Sequence, residues 1–324
     1  MNRYARQEIL SEIGSDGQQR LRDAHILVVG AGGLACPALQ YLVGAGVGCI
    51  SIIDHDVIGL SNLHRQTLYR EDQIGFSKSQ MAVLALSKLN GNCDLKAIVK
   101  ELSPANVDSL VSQADIVLDC ADSFAVSYIL SDACLALDKP LISASALEFN
   151  GYVGGFCGGK PSLRAVFPDL PSRAATCATA GVLGSVVGTI GAMQAQMALA
   201  LIIRLEPSVL GQLVTVDLKR FRFGGFRFDK AVEPCDDLLK FIGIEDIKTA
   251  DFVVDLRRLD EAPEAITPDA LRYLVADFAK QIPVPEPQQT AILCCRSGLR
   301  AWQAARHLRK YWDGRISLIT QTTN

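Results

Sequence analysis

Residues 26–66 read ILVVGAGGLACPALQYLVGAGVGCISIIDHDVIGLSNLHRQ, and the fold is decided there. The apolar run Ile26-Leu27-Val28-Val29 ends in Gly30-Ala31-Gly32-Gly33-Leu34-Ala35 and passes into a helix-like segment reaching about Ala45. A second apolar run, Ile50 to Ile53, stops at Asp54. Strand, glycine turn, helix and a strand ending in a carboxylate are the order that a nucleotide-binding βαβ unit requires. In that reading Gly30 permits the tight turn, and Gly32 has no Cβ to hold the backbone away from phosphates. Gly33 continues the loop, and Ala35 takes the position where a larger side chain would push the helix off the strand. Phosphates sit against the free N–H groups of the helix N-terminus, and Asp54 accepts hydrogen bonds from ribose hydroxyls. A glycine turn that merely joins packed elements is the alternative, and the strand, helix and acidic residue in register weigh against it.

At 324 residues the chain has room for two domains, and 49% hydrophobic with 21% charged residues is ordinary for a globular α/β protein. A formal charge of -3 argues against a surface built for nucleic acid or an anionic membrane, so any basic site is local. The N-terminal MNRYARQEIL has no apolar core of signal-peptide length, and a cytoplasmic protein is expected. The longest apolar run, Ala180 to Ile203, is interrupted by Ser185, Thr189, Gln194 and Gln196, and reads as a buried helix rather than a membrane span. Ten cysteines, none in a CxxC pair, are expected as free thiols or small buried hydrophobes and not as a disulfide framework.

Outward from the opening unit, 1–25 is a polar lead-in carrying Arg3, Arg6, Arg20 and Arg22, and His55–Gln66 is a polar loop at the carboxyl end of a strand, the edge where open parallel sheets bind ligands. A helix over Ser77–Leu89, strands near 95–99 and 114–120, a helix near 125–137 and a strand at 140–143 continue the βα alternation. Such alternation implies a mostly parallel sheet with helices on both faces. Beyond Leu147 come a glycine-rich strand at 149–157, an irregular loop at 163–179 containing Cys177, and the small-residue helix. Two antiparallel strands, 213–218 and 220–228, follow as an extension of the sheet, with Gly224-Gly225 expected to join them. Phe221, Phe223, Phe226 and Phe228 suit a core or an interface better than a stacking platform. An ATP-binding domain at 1–235, a linker at 236–250 and a short α/β domain at 251–324 are expected. In the last, 252–255 is a strand, 269–280 a helix and 291–294 a strand running into Cys295-Arg296-Ser297-Gly298-Leu299-Arg300.

A dinucleotide enzyme accounts for the glycine loop and Asp54 but not for the cations just downstream. Asn62, Arg65, Gln66 and Lys78 converge with Asp122 at the sheet edge in this reading, as a triphosphate with Mg²⁺ requires. Asp122 is the hard oxygen ligand.

Arg6-Gln7, GAGGLA at 30–35, the Asp54-His55-Asp56 turn, SNLHRQ at 61–66, Lys78, LDCADSF at 118–124 and Cys177-Ala178-Thr179-Ala180-Gly181 together resemble the E1-like adenylyltransferases, most of all the ThiF, MoeB and HesA group. The resemblance covers about 1–230. It implies activation of a ubiquitin-like sulfur carrier, whose C-terminal Gly-Gly carboxylate attacks the α-phosphate of ATP to give an acyl-adenylate, for thiamine thiazole or molybdopterin synthesis. It implies Asp54 on ribose, Asn62, Arg65 and Lys78 on phosphates, Gln66 in the polar network, Asp122 on Mg²⁺, and Arg6 reaching the neighbouring site of a homodimer. It also matches Cys177 to a loop cysteine that links covalently to the carrier in some relatives.

The chain departs from that family in one respect. Its members usually carry two zinc-binding CxxC pairs, but here Ser162 and Ala165 stand in the first and only Cys235, before Asp236-Asp237, remains of the second, so no structural zinc is expected. The run Cys295–Arg300, with Asp255 and Arg257 upstream, resembles the active-site loop of rhodanese-like domains and implies a persulfide on Cys295, from a persulfide donor. The competing reading of Cys295 is a buried structural cysteine. Other readings of the chain are an adenylating relative acting on another peptide or amino-acid carboxylate, an NAD-dependent oxidoreductase and a non-catalytic scaffold.

Overall fold

The computed structural model describes residues 2–170, 180–234 and 238–321. Two sheets organise them. The first has eight strands: β1 (His25–Val29), β2 (Cys49–Ile53), β3 (Asp94–Ile98), β4 (Ile116–Asp119), β5 (Pro140–Leu147), β6 (Asn150–Cys157), β7 (Gln212–Asp217) and β8 (Arg222–Arg227). Their order is β3-β2-β1-β4-β5-β6-β7-β8. The first five are parallel and the last three antiparallel, the expected mixed α/β sheet with its extension. The chain runs outward from β1 to β2 and β3, then returns to the other side of β1 as β4. That reversal opens a crevice between the carboxyl ends of β1 and β4, where such sheets bind ligands.

Burial explains why these runs are strands. Ile26 to Val29 and Ile50, Ile52 and Ile53 are nearly inaccessible, since strands covered by helices on both faces are apolar throughout. The helix Ala35–Ala45 ends at Gly46, whose φ of +88° suits a left-handed cap. Ser77 caps Lys78–Leu89 by accepting from the Gln80 N–H. Gly184–Ile202 is long and apolar enough to cross a bilayer by composition alone, but it packs against Ala35–Ala45, β5 and β6 with half of its apolar stretch buried, as a core helix does.

The second sheet is wholly parallel, in the order β11-β10-β12-β13-β9, with β9 (Lys240–Phe241), β10 (Phe252–Asp255), β11 (Leu271–Arg272), β12 (Ala291–Cys295) and β13 (Ile316–Thr320). Lys240–Phe241 lies in the stretch expected as linker yet pairs with β13.

Two local expectations are corrected. Gly224-Gly225 lie inside β8, opposite Thr215 and Val214, and the chain reverses instead at 218–221, where Asp217 accepts from the Arg220 N–H and guanidinium. The helix expected at 269–280 shortens to Val275–Ala279. Leu271–Arg272 are drawn into the sheet beside Val254 and Asp255, the Arg272 guanidinium donating to the carbonyls of Arg257 and Ala262. Of the four phenylalanines, Phe228 is buried and stacks on Phe156, while Phe221, Phe223 and Phe226 are exposed.

The two sheets share one continuous apolar cluster. At its junction Tyr128 stacks on Trp302 at 5.5 Å, and the Arg164 guanidinium lies 4.4 Å from the Tyr128 ring centroid. Arg164 also makes a two-pronged pair with Asp132 at 2.6 and 2.8 Å, and donates to the Leu239 carbonyl.

Candidate functional site

The crevice is built by two turns that touch. Gly30 has φ +90°, and a Cβ there would stand 2.8 Å from the Cys120 carbonyl oxygen, so only glycine lets the turn after β1 meet the turn after β4. A Cβ at Gly33 would fall 2.7 Å from Val187 Cγ1 and 3.5 Å from Arg65 Cγ. Gly33 is thus the packing glycine of the loop, against the helix Gly184–Ile202 and the stem of Arg65. At Gly32 an added Cβ would meet only the Gln66 amide nitrogen, 3.7 Å away, which leaves the backbone open to an approaching group.

Asp54 is tied to this loop. Its Oδ2 accepts from the Ala31 N–H at 2.6 Å and its Oδ1 from the Asp56 N–H at 2.7 Å, and burial pushes its pKa up. Tyr69 closes the back of the loop by donating to the Ala31 carbonyl at 2.7 Å. Lys78 is buried at the start of its helix, its ammonium 2.7 Å from Asp56 Oδ2. Asn62 accepts from the Gly59 N–H at 3.2 Å, and Arg65 donates to the Ser61 carbonyl at 2.9 Å. Gln66 is buried with its Oε1 unpartnered. A buried acceptor left without a donor costs free energy unless a ligand or water completes it. Asp122 is exposed at the mouth of the crevice.

The structure therefore gathers Gly30, Gly32, Gly33, Asp54, Asn62, Arg65, Gln66 and Lys78 around the carboxyl edge of β1 and β2, with Asp122 on the facing turn. Arg6 and Cys295 lie elsewhere. Arg6 is exposed on the helix Ala5–Glu8, Cys177 lies outside the described residues, and Cys295 ends β12 in the second sheet. Cys295 has no exposure. Its sulfur accepts from the Ala301 N–H at 3.4 Å and is reached by the Arg300 guanidinium, which Glu261 holds at 2.6 and 2.8 Å. Cys294 faces the opposite side of β12, and burial pushes its thiol up to about 12.

The open backbone at Gly32, the orphaned Gln66 oxygen and the exposed Asp122 carboxylate fit a nucleotide with a hard divalent cation. Among the described residues, Asp54, His55 and Asp56 also place their ligand atoms within 4.8 Å of one another. Ser162 and Ala165, standing where the first pair of zinc thiolates would be, do not fit zinc, and Cys235 lies outside the described residues. Ser162 donates through its N–H and its hydroxyl to the two Glu233 oxygens, each at 2.6 Å, and so clasps the segments that a metal would brace.

Comparison with known proteins decides what this crevice belongs to. A family model described as the ThiF family matches residues 4–236. The chain belongs to the ThiF family. As such it is an E1-like adenylyltransferase, a nucleotidyltransferase. It is 33% identical to the adenylyltransferase and sulfurtransferase MOCS3 of Drosophila ananassae over 95% of this chain and 78% of that protein. To the protein of the same name from Drosophila sechellia it is 43% identical over 66% of this chain and 48% of the relative, so the matched part spans only about half of that protein. Among solved structures, E. coli MccB superposes with a TM-score of 0.64 at 22% identity, over 75% of this chain and 74% of MccB, which supports the fold.

Several residues with structural partners are not singled out by the sequence. Asp56 reads there only as part of a turn, and Asp119 only as part of LDCADSF. Asp119, Ser143 and Gln194 form a buried polar node under the β4 turn. Glu233 and Glu261 had no local signal, because their partners lie 71 and 39 residues away in sequence.

Proposed function

We propose that this chain adenylylates the C-terminal Gly-Gly carboxylate of a ubiquitin-like sulfur-carrier protein of the ThiS or MoaD type, supplying thiamine thiazole or molybdopterin synthesis. The observation that carries the reading is the contact of the Gly30 and Cys120 turns at the switch point, with the Lys78 ammonium pinned on Asp56 beyond β2. A carboxylate oxygen attacks the α-phosphorus of ATP, the bond to pyrophosphate breaks, and the acyl group gains AMP as a leaving group. Asp54 anchors the ribose, and the helix N-terminus after Gly33 receives phosphate. Lys78, Arg65 and Asn62 face the charge that develops on the phosphate oxygens. Mg²⁺, held by Asp122, supplies charge neutralisation when bound. Arg6, exposed on the helix Ala5–Glu8, serves the crevice of a second protomer in a homodimer. Cys177 is assigned to covalent linkage with the carrier.

In the second domain, a persulfide on Cys295, loaded by a persulfide donor, attacks the acyl carbon and AMP leaves. A second thiol then breaks the acyl disulfide to release the thiocarboxylate. The complete burial of Cys295 favours a second reading, adenylylation of another peptide or amino-acid carboxylate without a sulfur step.

Carrier-dependent exchange of pyrophosphate into ATP tests the first step, and it is expected to fall by about 10²–10³-fold in Lys78→Ala and Asp122→Ala. Exchange near the wild-type rate in either variant removes the proposal. Labelling by thiosulfate or a persulfide donor in the wild type but not in Cys295→Ala supports the sulfur step, and equal labelling leaves the second reading.

A further inference from the structure

Asp119 closes β4 with no exposure to solvent. A carboxylate withdrawn from water is costly unless a cation or several donors match it. Burial pushes it up to about 6, the Ser127 and Ser143 hydroxyls and the Ala121 N–H pull it back down, and the one charge that adds to the rise is another carboxylate, Asp122. What holds it is a set of donors. Oδ1 accepts from the Ala121 N–H at 3.2 Å and Oδ2 from the Ser143 hydroxyl at 2.9 Å.

The main chain at this point is clamped as well. Gln194, fully buried in Gly184–Ile202, donates to the Asp119 carbonyl at 2.8 Å and the Ile142 carbonyl at 2.9 Å, while its own oxygen accepts from the Cys120 thiol at 3.2 Å. The Cys120 N–H donates to the Val29 carbonyl at 2.9 Å. The turn Cys120-Ala121-Asp122 is therefore fixed to β1, β5 and a helix, and its one internal strut is the Asp119 carboxylate bonded two residues on, as in an Asx turn. Of the side chains in this turn, Asp122 alone is exposed.

We propose that Asp119 is a positioning residue, fixing the direction of the β4 turn so that Asp122 presents its carboxylate to the divalent cation of bound nucleotide. This rests on the reading of Asp122 as the metal ligand. Residues that orient a ligand are worth about tenfold to a hundredfold in metal affinity. Asparagine at 119 keeps an acceptor for the Ala121 N–H and a second polar atom for Ser143, whereas alanine keeps neither.

The test is Mn²⁺ binding to the full chain with the non-hydrolysable ATP analogue AMPCPP, followed by electron paramagnetic resonance, beside AMPCPP binding without metal. Asp119→Ala is expected to weaken Mn²⁺ about tenfold and to leave metal-free AMPCPP affinity unchanged, with Asp119→Asn restoring Mn²⁺ affinity to near the wild-type value. An Mn²⁺ curve for Asp119→Ala that superposes on the wild type, or equal losses with and without metal, overturns the inference. Asp122→Ala separates the two claims. If it leaves Mn²⁺ affinity intact, the metal assignment fails and this inference with it; if it weakens Mn²⁺ and Asp119→Ala does not, positioning alone is wrong. Should Asp119→Ala not fold, Ser143→Ala removes one hydroxyl strut and leaves that of Ser127. A smaller, metal-selective loss then supports the inference, and unchanged Mn²⁺ affinity overturns it.

Discussion

The Lys78 ammonium stands 2.7 Å from Asp56, the lysine buried and the aspartate exposed. The Lys78 N–H also donates to the Asp56 carbonyl, so side chain and main chain together place the cation at the mouth of the crevice. Removing the lysine deletes a preorganised charge from where phosphate charge develops, and Lys78→Ala is expected to lower carrier-dependent pyrophosphate exchange by about 10²–10³-fold. Asp56→Ala frees the ammonium without deleting it, so its loss is expected to be smaller and to fall mainly on KM for ATP. Exchange assays over a range of ATP concentrations check both, and equal losses would contradict the assigned division of labour.

Gly30 joins the two turns, and its replacement tests whether their contact matters. Alanine there meets the Cys120 carbonyl at 2.8 Å in a conformation with φ +90°. Strain of about 1–3 kcal/mol per residue held in such a conformation, with the steric overlap added, is expected from Gly30→Ala. Gly32→Ala meets nothing closer than 3.7 Å and is expected to fold normally while weakening ATP binding. Urea denaturation and nucleotide titration of the pair distinguish a structural glycine from a ligand-facing one.

The sequence made the opening βαβ unit legible because each signal was local: apolar runs, a glycine loop and a terminal carboxylate within a short stretch. The second sheet was legible for the same reason at 252–255 and 291–294. What stayed hidden was carried by distant partners. Leu271–Arg272 carries a helix-like pattern, but Arg272 reaches two carbonyls across the domain and pulls it into a strand. Glu233 meets Ser162, 71 residues away in sequence, only because the fold returns it there. Asp119 reads as one more acidic strand end until Ser143 and Gln194 are seen beneath it.

Arg164 is the side chain on which the two sheets meet. It is almost fully buried, pairs with Asp132, lies over Tyr128 and donates to the Leu239 carbonyl. Breaking a buried pair by removing one partner costs about 3–5 kcal/mol, and since Asp132 keeps partial access to water, Arg164→Ala is expected near the lower end. Arg164→Met fills the same space between the rings and is expected to recover part of the loss. Urea unfolding gives the stability, and limited proteolysis between the sheets, faster in Arg164→Ala than in the wild type, reports the loosened junction.

Asp119 gives stability a definite pH slope. Its folded pKa is raised from an ordinary 3.8 to about 6 by burial, so between these values the native state binds more protons than the unfolded chain. Its contribution therefore falls as pH rises from about 4 to about 6 and is level above, by at most about 3 kcal/mol at about 1.4 kcal/mol per unit. Asp119→Asn removes the buried charge. Its Tm relative to the wild type is expected to climb from pH 4 to pH 7, and a constant difference across that range would show that Asp119 does not titrate there.

Cys295 is buried in the packed core and flanked by an ion pair that is expected to act as a lock. Glu261 holds the Arg300 guanidinium at 2.6 and 2.8 Å, and the same carboxylate accepts from the Arg258 N–H at 2.9 Å, tying the lock to the loop after β10. The pairing with Arg300 keeps the Glu261 carboxyl down at about 2, so the lock stays charged through the neutral range. Sulfur chemistry at Cys295 requires the thiol to become accessible, and movement of this pair is the expected route, because the thiol has no exposure here. Glu261→Gln leaves Arg300 without its anionic partner and is expected to raise the rate of Cys295 alkylation by iodoacetamide, read by peptide mass spectrometry, about tenfold, the factor that about 1.4 kcal/mol of lost closure gives. Cys294 is the internal control, since it faces the other side of β12 and is expected to stay unlabelled in both proteins. Labelling of both cysteines would mean that the domain has unfolded, and equal Cys295 rates in wild type and Glu261→Gln would show that packing, not the ion pair, guards the thiol.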